Sequence, residues 1–240
     1  MPFAYDQGLL LLSIGVAMFG AFTAFVMTAG MHRPENASRT LRLMAGGLTL
    51  GLSAWAMQFI ALLAILAPVR VGYNAALLGG AAALVIAAAL GAMVLMTRLN
   101  LVGLRLPLGA LLLGVGLIGM HYMAMASIAG AFKPKYSALG AALTVVIAVQ
   151  AALIALYFAF RQRGVLITFV GAALTGAAFA AIPYASMQTA ELEARRSLAG
   201  FAVPAFSEVS MAWTAAVMVY LFCSVCLTIF ALSQFANDAR

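Results

Sequence analysis

The feature that most restricts the fold of this chain is a succession of long apolar segments. Seven of them reach about 20 residues, the length that a helix needs to cross the hydrocarbon core of a bilayer. Because 66% of the 240 residues are hydrophobic and only 8% are charged, lipid must be the solvent for most of their surface. We therefore predict an all-α integral membrane protein with seven transmembrane helices, at about 7–30, 41–66, 74–96, 107–130, 138–160, 165–190 and 209–233.

The seven segments are apolar on all sides rather than alternating, so transmembrane strands are not expected. The connections between the segments are short, and we predict a single membrane domain over residues 1–240 with no soluble output domain. The longest connection, at about 191–208, is rich in charged residues. We expect that it holds a short helix outside the membrane.

Basic residues at the helix ends predict the orientation in the membrane. With the N-terminus outside, the inner connections and the tail carry eight arginines, whereas the outer connections carry five lysines and arginines. This asymmetry favours an N-out, C-in topology. The net charge of +7 is then explained by contact with phospholipid headgroups. No basic patch is interleaved with aromatic residues, so we expect the lipid bilayer and not nucleic acid as a partner.

Three six-residue stretches recur at nearly constant spacing, and they divide the first six helices into pairs. The stretches are MQFIAL at 57–62, MHYMAM at 120–125 and IPYASM at 182–187. Their second residues lie 63 and 62 positions apart, and a glycine stands seven residues before each one. A repeat of this length predicts one two-helix unit copied three times, with the seventh helix standing alone.

Only the middle copy has a histidine at the repeated position, and methionines surround it. His121 and Met125 are four residues apart, which places them on one face of a helix. Imidazole nitrogen and thioether sulfur form a soft ligand set that suits copper, especially Cu(I). If the even-numbered helices face a common axis, the other two copies contribute further groups. The predicted metal ligands are His121, Met120, Met125, Met187, Met57 and Met123, with Gln58 as a weak or indirect ligand.

The same residues also admit a purely structural interpretation. Methionine fills gaps in apolar cores, and a buried histidine can bond to a backbone carbonyl of the next helix. We expect Cys223 and Cys226 to pack rather than to bind metal. All six carboxylates fall at helix ends or in connections, which argues against a proton or cation pump. The chain has no nucleotide-binding loop, no paired carboxylates and no serine, histidine and aspartate arranged as in the sequence of a catalytic triad. We therefore predict that it is not an enzyme.

The run Gly119–Met125 resembles the motif of the bacterial MHYT sensory domain. The first copy, Trp55–Leu63, is similar to the family's Trp-x-Met-His-Phe-Ile-Ala-Met-Leu, with Gln58 replacing the histidine and Leu62 replacing a methionine. The third copy, at 182–187, resembles Met-His-Tyr-Thr-Gly-Met with both leading residues replaced. The resemblance covers essentially the whole chain. It implies three repeats of two spanning helices, a motif in each, and a seventh helix.

The resemblance also implies a function. Domains of this family are sensor input modules of the bacterial inner membrane, proposed to hold copper near the periplasmic face and to sense oxygen, carbon monoxide, nitric oxide or redox state. We expect a separate output protein, such as a kinase, a cyclic-di-nucleotide enzyme or a regulator, or else self-association. In such a sensor, Pro183 is expected to kink the sixth helix.

Two other hypotheses remain open at this point. Two of the three motif histidines are replaced, which favours a structural or assembly subunit that kept the fold and lost the site. A small-molecule or metal transporter would instead use Gln58 and Gln150 to line its path.

Overall fold

Seven long helices make up most of the computed structural model, which describes residues 6–29, 37–65, 72–98, 103–129, 132–161, 164–194 and 207–238. The helices are α1 (Gln7–Thr28), α2 (Ala37–Leu63), α3 (Ala75–Arg98), α4 (Arg105–Ala126), α5 (Ala138–Arg161), α6 (Val165–Gln188) and α7 (Glu208–Asp238). All seven helices found in these ranges are long and apolar enough to cross a membrane. The seven predicted helices are confirmed, and their ends agree with the predicted bounds within about four residues except that α7 continues five residues further.

Local chemistry explains several of the helix ends. The carboxylate of Asp6 accepts a hydrogen bond from the N–H of Leu9 at 3.0 Å, which caps the first turn of α1. Gly164 has a φ of 87°, a conformation that glycine adopts without strain, and α6 begins at the next residue. α6 then continues through Pro183 to Gln188, so the proline does not end the helix.

The first six helices form three pairs that close into a ring. Consecutive helices pack as α1–α2, α3–α4 and α5–α6, and the pairs join through α2–α3, α4–α5 and α6–α1. Further contacts join α2 to both α4 and α6. α7 packs against α1 and α2. This arrangement confirms the predicted plan of three two-helix units and one additional helix.

Three glycines hold neighbouring pairs in equivalent registers. A β-carbon built at any of them would lie 2.7 to 3.1 Å from a Cα atom of the adjacent odd-numbered helix, and the couples are Gly51 with Ile86, Gly114 with Val149 and Gly176 with Met18. Only glycine permits so close an approach, and in lipid such contacts hold helices together by dispersion. The three couples establish that Met18, Ile86 and Val149 are equivalent positions of α1, α3 and α5.

In the connections that the structure describes, four short strands follow the ends of α2, α4 and α6, on what we call the strand side of the molecule. Strand β1 (Gly72–Tyr73) pairs with β2 (Ile128–Ala129), and β3 (Phe132–Tyr136) pairs with β4 (Ala190–Ala194), both in antiparallel fashion. The N-terminus of α1 is on the same side, because the N–H of Asp6 donates to the carbonyl of Ala64 at 2.8 Å.

Strand β4 forms the beginning of the segment at about 191–208, in which a short helix is expected. The first residues of this segment pair with β3. The register places a lysine opposite a glutamate at two positions, Lys133 with Glu193 and Lys135 with Glu191. Residues 195–206 of this segment lie outside the described ranges.

Candidate functional site

The three even-numbered helices present equivalent residues to the interior of the ring. Residues separated by the repeat spacing are equivalent, and one such set forms a first layer: Met57, Met120 and Ile182. All three are fully buried and belong to a large central cluster. A second layer lies closer to the strand side. Its members share a small separate cluster, which we call the strand-side cluster: Leu62, Met125 and Met187. Residues at equivalent positions of the repeat therefore belong to the same buried clusters.

His121 on α4 and Gln58 on α2 occupy the repeated position between these two layers. Both side chains are 0% exposed. Among the described residues, no hydrogen-bond partner is found for either ring nitrogen of His121 or for either amide atom of Gln58. The hydroxyl of Thr175 on α6 is likewise buried without a partner in the described ranges. Within the described part of the chain, His121 thus lacks the backbone carbonyl partner that a purely structural role would require.

Buried polar groups without partners are costly in a membrane interior, where water cannot satisfy them. An ionisable residue in a transmembrane helix is, for that reason, a marker of a functional site. His121 and Gln58 together offer two ring nitrogens, an amide oxygen and an amide nitrogen that remain unsatisfied. The site is therefore suited to a bound ion or small ligand that would supply the missing interactions.

The predicted methionine ligands fall into three groups. Met125 and Met187 lie together in the strand-side cluster, whereas Met57 and Met120 lie in the central cluster. Met123 is half-buried, and its terminal methyl carbon would lie 2.9 Å from a β-carbon built at Gly80 of α3. The structure thus brings Met125 and Met187 together and directs Met123 toward α3.

The donor atoms limit the kind of metal that this site could take. Within the described ranges, no group of three His, Cys, Asp or Glu residues is placed to hold a metal ion. A zinc, calcium or magnesium site built from those ligands is therefore absent from that part of the chain. One imidazole among thioethers fits the preference of Cu(I) for soft ligands.

Aromatic residues connect His121 to the strands. The His121 and Tyr122 rings are edge to face with centroids 5.1 Å apart, and Tyr122 stands in the same relation to Tyr136 of β3 at 5.2 Å. Tyr136, together with Tyr73 of β1 and Ile128 of β2, packs against the strand-side cluster. The strands therefore cover the layer that contains the two methionines. Sequence reasoning missed this role of Tyr122 and Tyr136, although Tyr122 follows His121 directly.

The two tyrosines of the strands are held in their neutral form. Burial raises the pKa of Tyr73, and the charge of Glu208 adds to this effect. Burial also raises the pKa of Tyr136, Tyr122 adds to the rise, and Ser186 opposes it. The cover of the strand-side cluster therefore remains uncharged well above neutral pH.

α7 is linked to the site by two aromatic residues. Phe59 and Tyr73 pack against the strand-side cluster and also against the cluster that joins α7 to α1 and α2. A groove of 310 Å³ lies between α2 and α7, with Trp55, Phe59 and Met218 among its lining residues. Phe59 thus contacts both the strand-side cluster and the cluster that contains α7.

Two other predictions concern residues away from this centre. Cys223 is fully buried against α1 and α2, and Cys226 is half-buried. Gln58 is buried inside the ring, but Gln150 is exposed on the outer surface of α5. The transporter hypothesis required both glutamines to line one path through the membrane, and their positions do not allow this.

The sequence repeats coincide with those of a known family. The family model MHYT, described as a bacterial signalling protein N-terminal repeat, matches residues 51–109 and 114–172. The two matches begin at Gly51 and Gly114, which are two of the three glycines that set the register of the helix pairs.

Similar proteins have signalling functions. The chain is 30% identical, over 92% of its length, to the bifunctional diguanylate cyclase/cyclic di-GMP phosphodiesterase MucR of Pseudomonas aeruginosa. It is 32% identical, over 67% of its length, to the cyclic di-GMP phosphodiesterase NbdA of the same organism. These alignments cover 33% of MucR and 20% of NbdA, so the chain spans a third or less of the length of either relative. No solved structure matches the chain.

Proposed function

Because the chain belongs to the MHYT family of bacterial signalling proteins, we propose that it is a membrane-embedded sensor whose signal depends on a copper ion held by His121. The observation that carries this proposal is the burial of His121, which has no hydrogen-bond partner among the described residues and lies next to layers that contain four methionines. Copper supplies a redox-active centre to which a diatomic gas can bind. Oxygen, carbon monoxide, nitric oxide or a change of redox state is the proposed signal.

Each residue near the proposed copper ion would have its own role. His121 is the principal ligand, with Met125 and Met187 on its strand side and Met120 and Met57 on the other. Thioethers carry no proton and no charge, so they bind a soft metal in a dry site without the cost of burying an anion. Gln58 would orient the imidazole or a small ligand through its free amide. Met123, which is directed toward α3, is outside this proposed set.

The output of the proposed sensor is cyclic di-GMP signalling. MucR and NbdA are both named for enzymes that make or degrade cyclic di-GMP. The chain would act as a non-catalytic input module, in the bacterial inner membrane, for an output domain or partner of that class. The positive-inside bias supports an N-out orientation, which places the strand side at the periplasm and the site near that face.

Metal content tests the proposal directly. The full chain is purified, loaded with Cu(I) under reducing conditions and passed through a desalting column, and the copper retained per chain is measured. We expect wild type and Met123→Leu to retain copper and His121→Ala to lose it. Helix content measured by circular dichroism verifies that each variant is folded. Equal copper in folded wild type and His121→Ala would rule out His121 as the ligand.

A structural or assembly subunit is the second candidate function. It is favoured by one observation: Gln58 and Pro183 occupy the positions equivalent to His121, so at most one imidazole reaches the site. Under this hypothesis wild type retains no copper, and His121→Ala leaves the cellular cyclic di-GMP response unchanged. The copper measurement and the cellular response therefore separate the two candidates.

A further inference from the structure

Gln150 is a polar residue on the outer surface of α5, halfway along the helix. It stands twelve residues after Ala138 and eleven before Arg161, the two ends of α5. At about 1.5 Å per residue it lies roughly 16 to 18 Å from either end, near the middle of the bilayer. It is exposed on the outer surface of the bundle, and none of the described residues is a hydrogen-bond partner of its amide.

An amide exposed to acyl chains is unfavourable, because lipid tails offer no hydrogen bonds. Polar side chains in transmembrane helices nearly always face protein or water. Lipid headgroups lie at the membrane surfaces and cannot reach this depth. Only a group from another protein segment could therefore form hydrogen bonds with the amide of Gln150 at the centre of the membrane.

The exposed face of α5 has the pattern of a helix–helix seam. Leu139, Leu143, Val146 and Tyr157 are 71%, 46%, 56% and 43% exposed. With Gln150 and the half-buried Leu153 they follow one another at spacings of four, three, four, three and four residues. Such alternation of four and three produces a continuous stripe along one side of a helix. A single polar residue within an apolar seam is a known means of setting register and oligomeric state.

One of the two faces equivalent to this one is covered by another helix of the chain. Met18, Ile86 and Val149 are equivalent, so the residues that follow them, Phe19, Ala87 and Gln150, are equivalent too. Phe19 on α1 is covered by α7, with its ring centroid 5.1 Å from that of Tyr220. In the described ranges α7 makes its main contacts with α1 and α2, which leaves Ala87 on α3 and Gln150 on α5 exposed. Of these two residues only Gln150 carries a polar side chain that needs a partner.

We propose that α5 of a second copy of this chain covers this face, with the two Gln150 amides hydrogen-bonded to each other across a two-fold axis. Copies in one membrane share their orientation, so a two-fold axis along the membrane normal places each residue beside its own counterpart. A primary amide both donates and accepts hydrogen bonds and is therefore complementary to itself. Leucine and valine at the neighbouring positions pack against their equivalents. A dimer formed in this way does not depend on the proposed metal.

Energy transfer between labelled copies in lipid vesicles measures the association. The full chain is labelled at its C-terminus with a donor or an acceptor, and the transfer is followed as the protein-to-lipid ratio is lowered. We expect wild type to dimerise and Gln150→Leu to weaken dimerisation by about 3- to 18-fold, the range found for interhelical hydrogen bonds in membranes. Gln150→Asn, which keeps an amide, should retain most of the affinity.

Two controls make the test specific to α5. Gln234→Leu removes another exposed glutamine, near the end of α7, and should leave dimerisation unchanged. In a background with both cysteines replaced by alanine, Val146→Cys should form an intermolecular disulfide, whereas Val170→Cys on the exposed face of α6 should not. A wild-type chain that stays monomeric at every protein density overturns the proposal. Equal association of wild type and Gln150→Leu, or cross-linking through α6 instead of α5, overturns it as well.

Discussion

Met125 of α4 and Met187 of α6, which are 62 positions apart in the sequence, lie in one small cluster under the strands β1, β2 and β3. The equivalent residue of α2, Leu62, belongs to the same cluster. Their meeting is a consequence of the repeat, since equivalent positions of three copies converge near one axis. It places two of the proposed sulfur ligands together and gives them a cover of aromatic side chains.

This cluster leads to a prediction about metal affinity. Replacement of Met125 or Met187 by leucine preserves the volume and removes a thioether, so the fold should persist. We expect Cu(I) affinity to fall about tenfold or more. Removal of a residue that only hydrogen-bonds to a metal ligand already lowers metal affinity by about tenfold, and a direct ligand should matter at least as much. Competition with a Cu(I) chelator measures the change. Met123→Leu is the matched control, and a loss of the same size in that variant would contradict the proposed ligand set.

The close approach of helices at the register glycines leads to a prediction about stability. Gly51→Ala would place a β-carbon 2.7 Å from the Cα of Ile86, which forces α2 and α3 apart. We expect a loss of about 1 to 3 kcal/mol in the free energy of unfolding. Gly79→Ala, where no atom lies within 4 Å, should instead be neutral or slightly stabilising. Unfolding in detergent measures both, and equal effects would contradict the close contact.

Arg42 leads to a prediction about the mobility of α7. Its guanidinium donates hydrogen bonds to the carbonyls of Met27, at 3.0 Å, and Ala29, and it lies 4.7 Å from the ring centroid of Phe230 on α7. This one side chain thus joins the end of α1 to α2 and α7.

Arg42→Gln should loosen the half of α7 that contains Phe230, because the cation–π contact, worth about 0.5 to 1 kcal/mol at an exposed site, is lost together with both hydrogen bonds. Amide hydrogen exchange along α7 measures the effect. Phe230→Leu removes only the aromatic contact and should give a smaller increase in exchange. If exchange in α7 is the same in wild type and Arg42→Gln, this link does not hold the helix.

The strand-side tyrosines predict a loss of stability at alkaline pH. Burial raises the pKa of Tyr136 in the folded chain above its ordinary value of 10.0, whereas in the unfolded chain the phenol ionises near that value. Below pH 10 the phenol is neutral in both states and stability does not depend on it. Above pH 10 stability should fall by about 1.4 kcal/mol per pH unit for each such tyrosine, until the folded pKa is reached.

Thermal unfolding in detergent between pH 9 and 11 measures this dependence. Tyr136→Phe removes one of the responsible groups, so its unfolding temperature should decline less steeply with pH than that of wild type. Phe169→Leu, an exposed aromatic residue of α6 without an ionisable group, is the control and should leave the slope as in wild type. Identical slopes for wild type and Tyr136→Phe would contradict the burial of this hydroxyl as the cause.

The sequence by itself determined the number of helices, their approximate ends and their grouping. Runs of about 20 apolar residues permit little besides a transmembrane helix, because every backbone polar group must be satisfied within lipid. The spacing of the motifs from Gln58 to His121 to Pro183 determined the pairing of the helices. It also singled out His121, because a buried imidazole is rare enough to be read from one sequence.

Only the tertiary structure decided which side chains meet and which face outward. The helical segments are apolar on every side, so periodicity cannot tell a side that faces lipid from one that faces protein. For that reason the sequence grouped Met123 with the other methionines and Gln150 with Gln58, whereas packing directs Met123 toward α3 and leaves Gln150 exposed. The pairing of β3 with β4 likewise depends on residues far apart in the chain, whose contact no local pattern encodes.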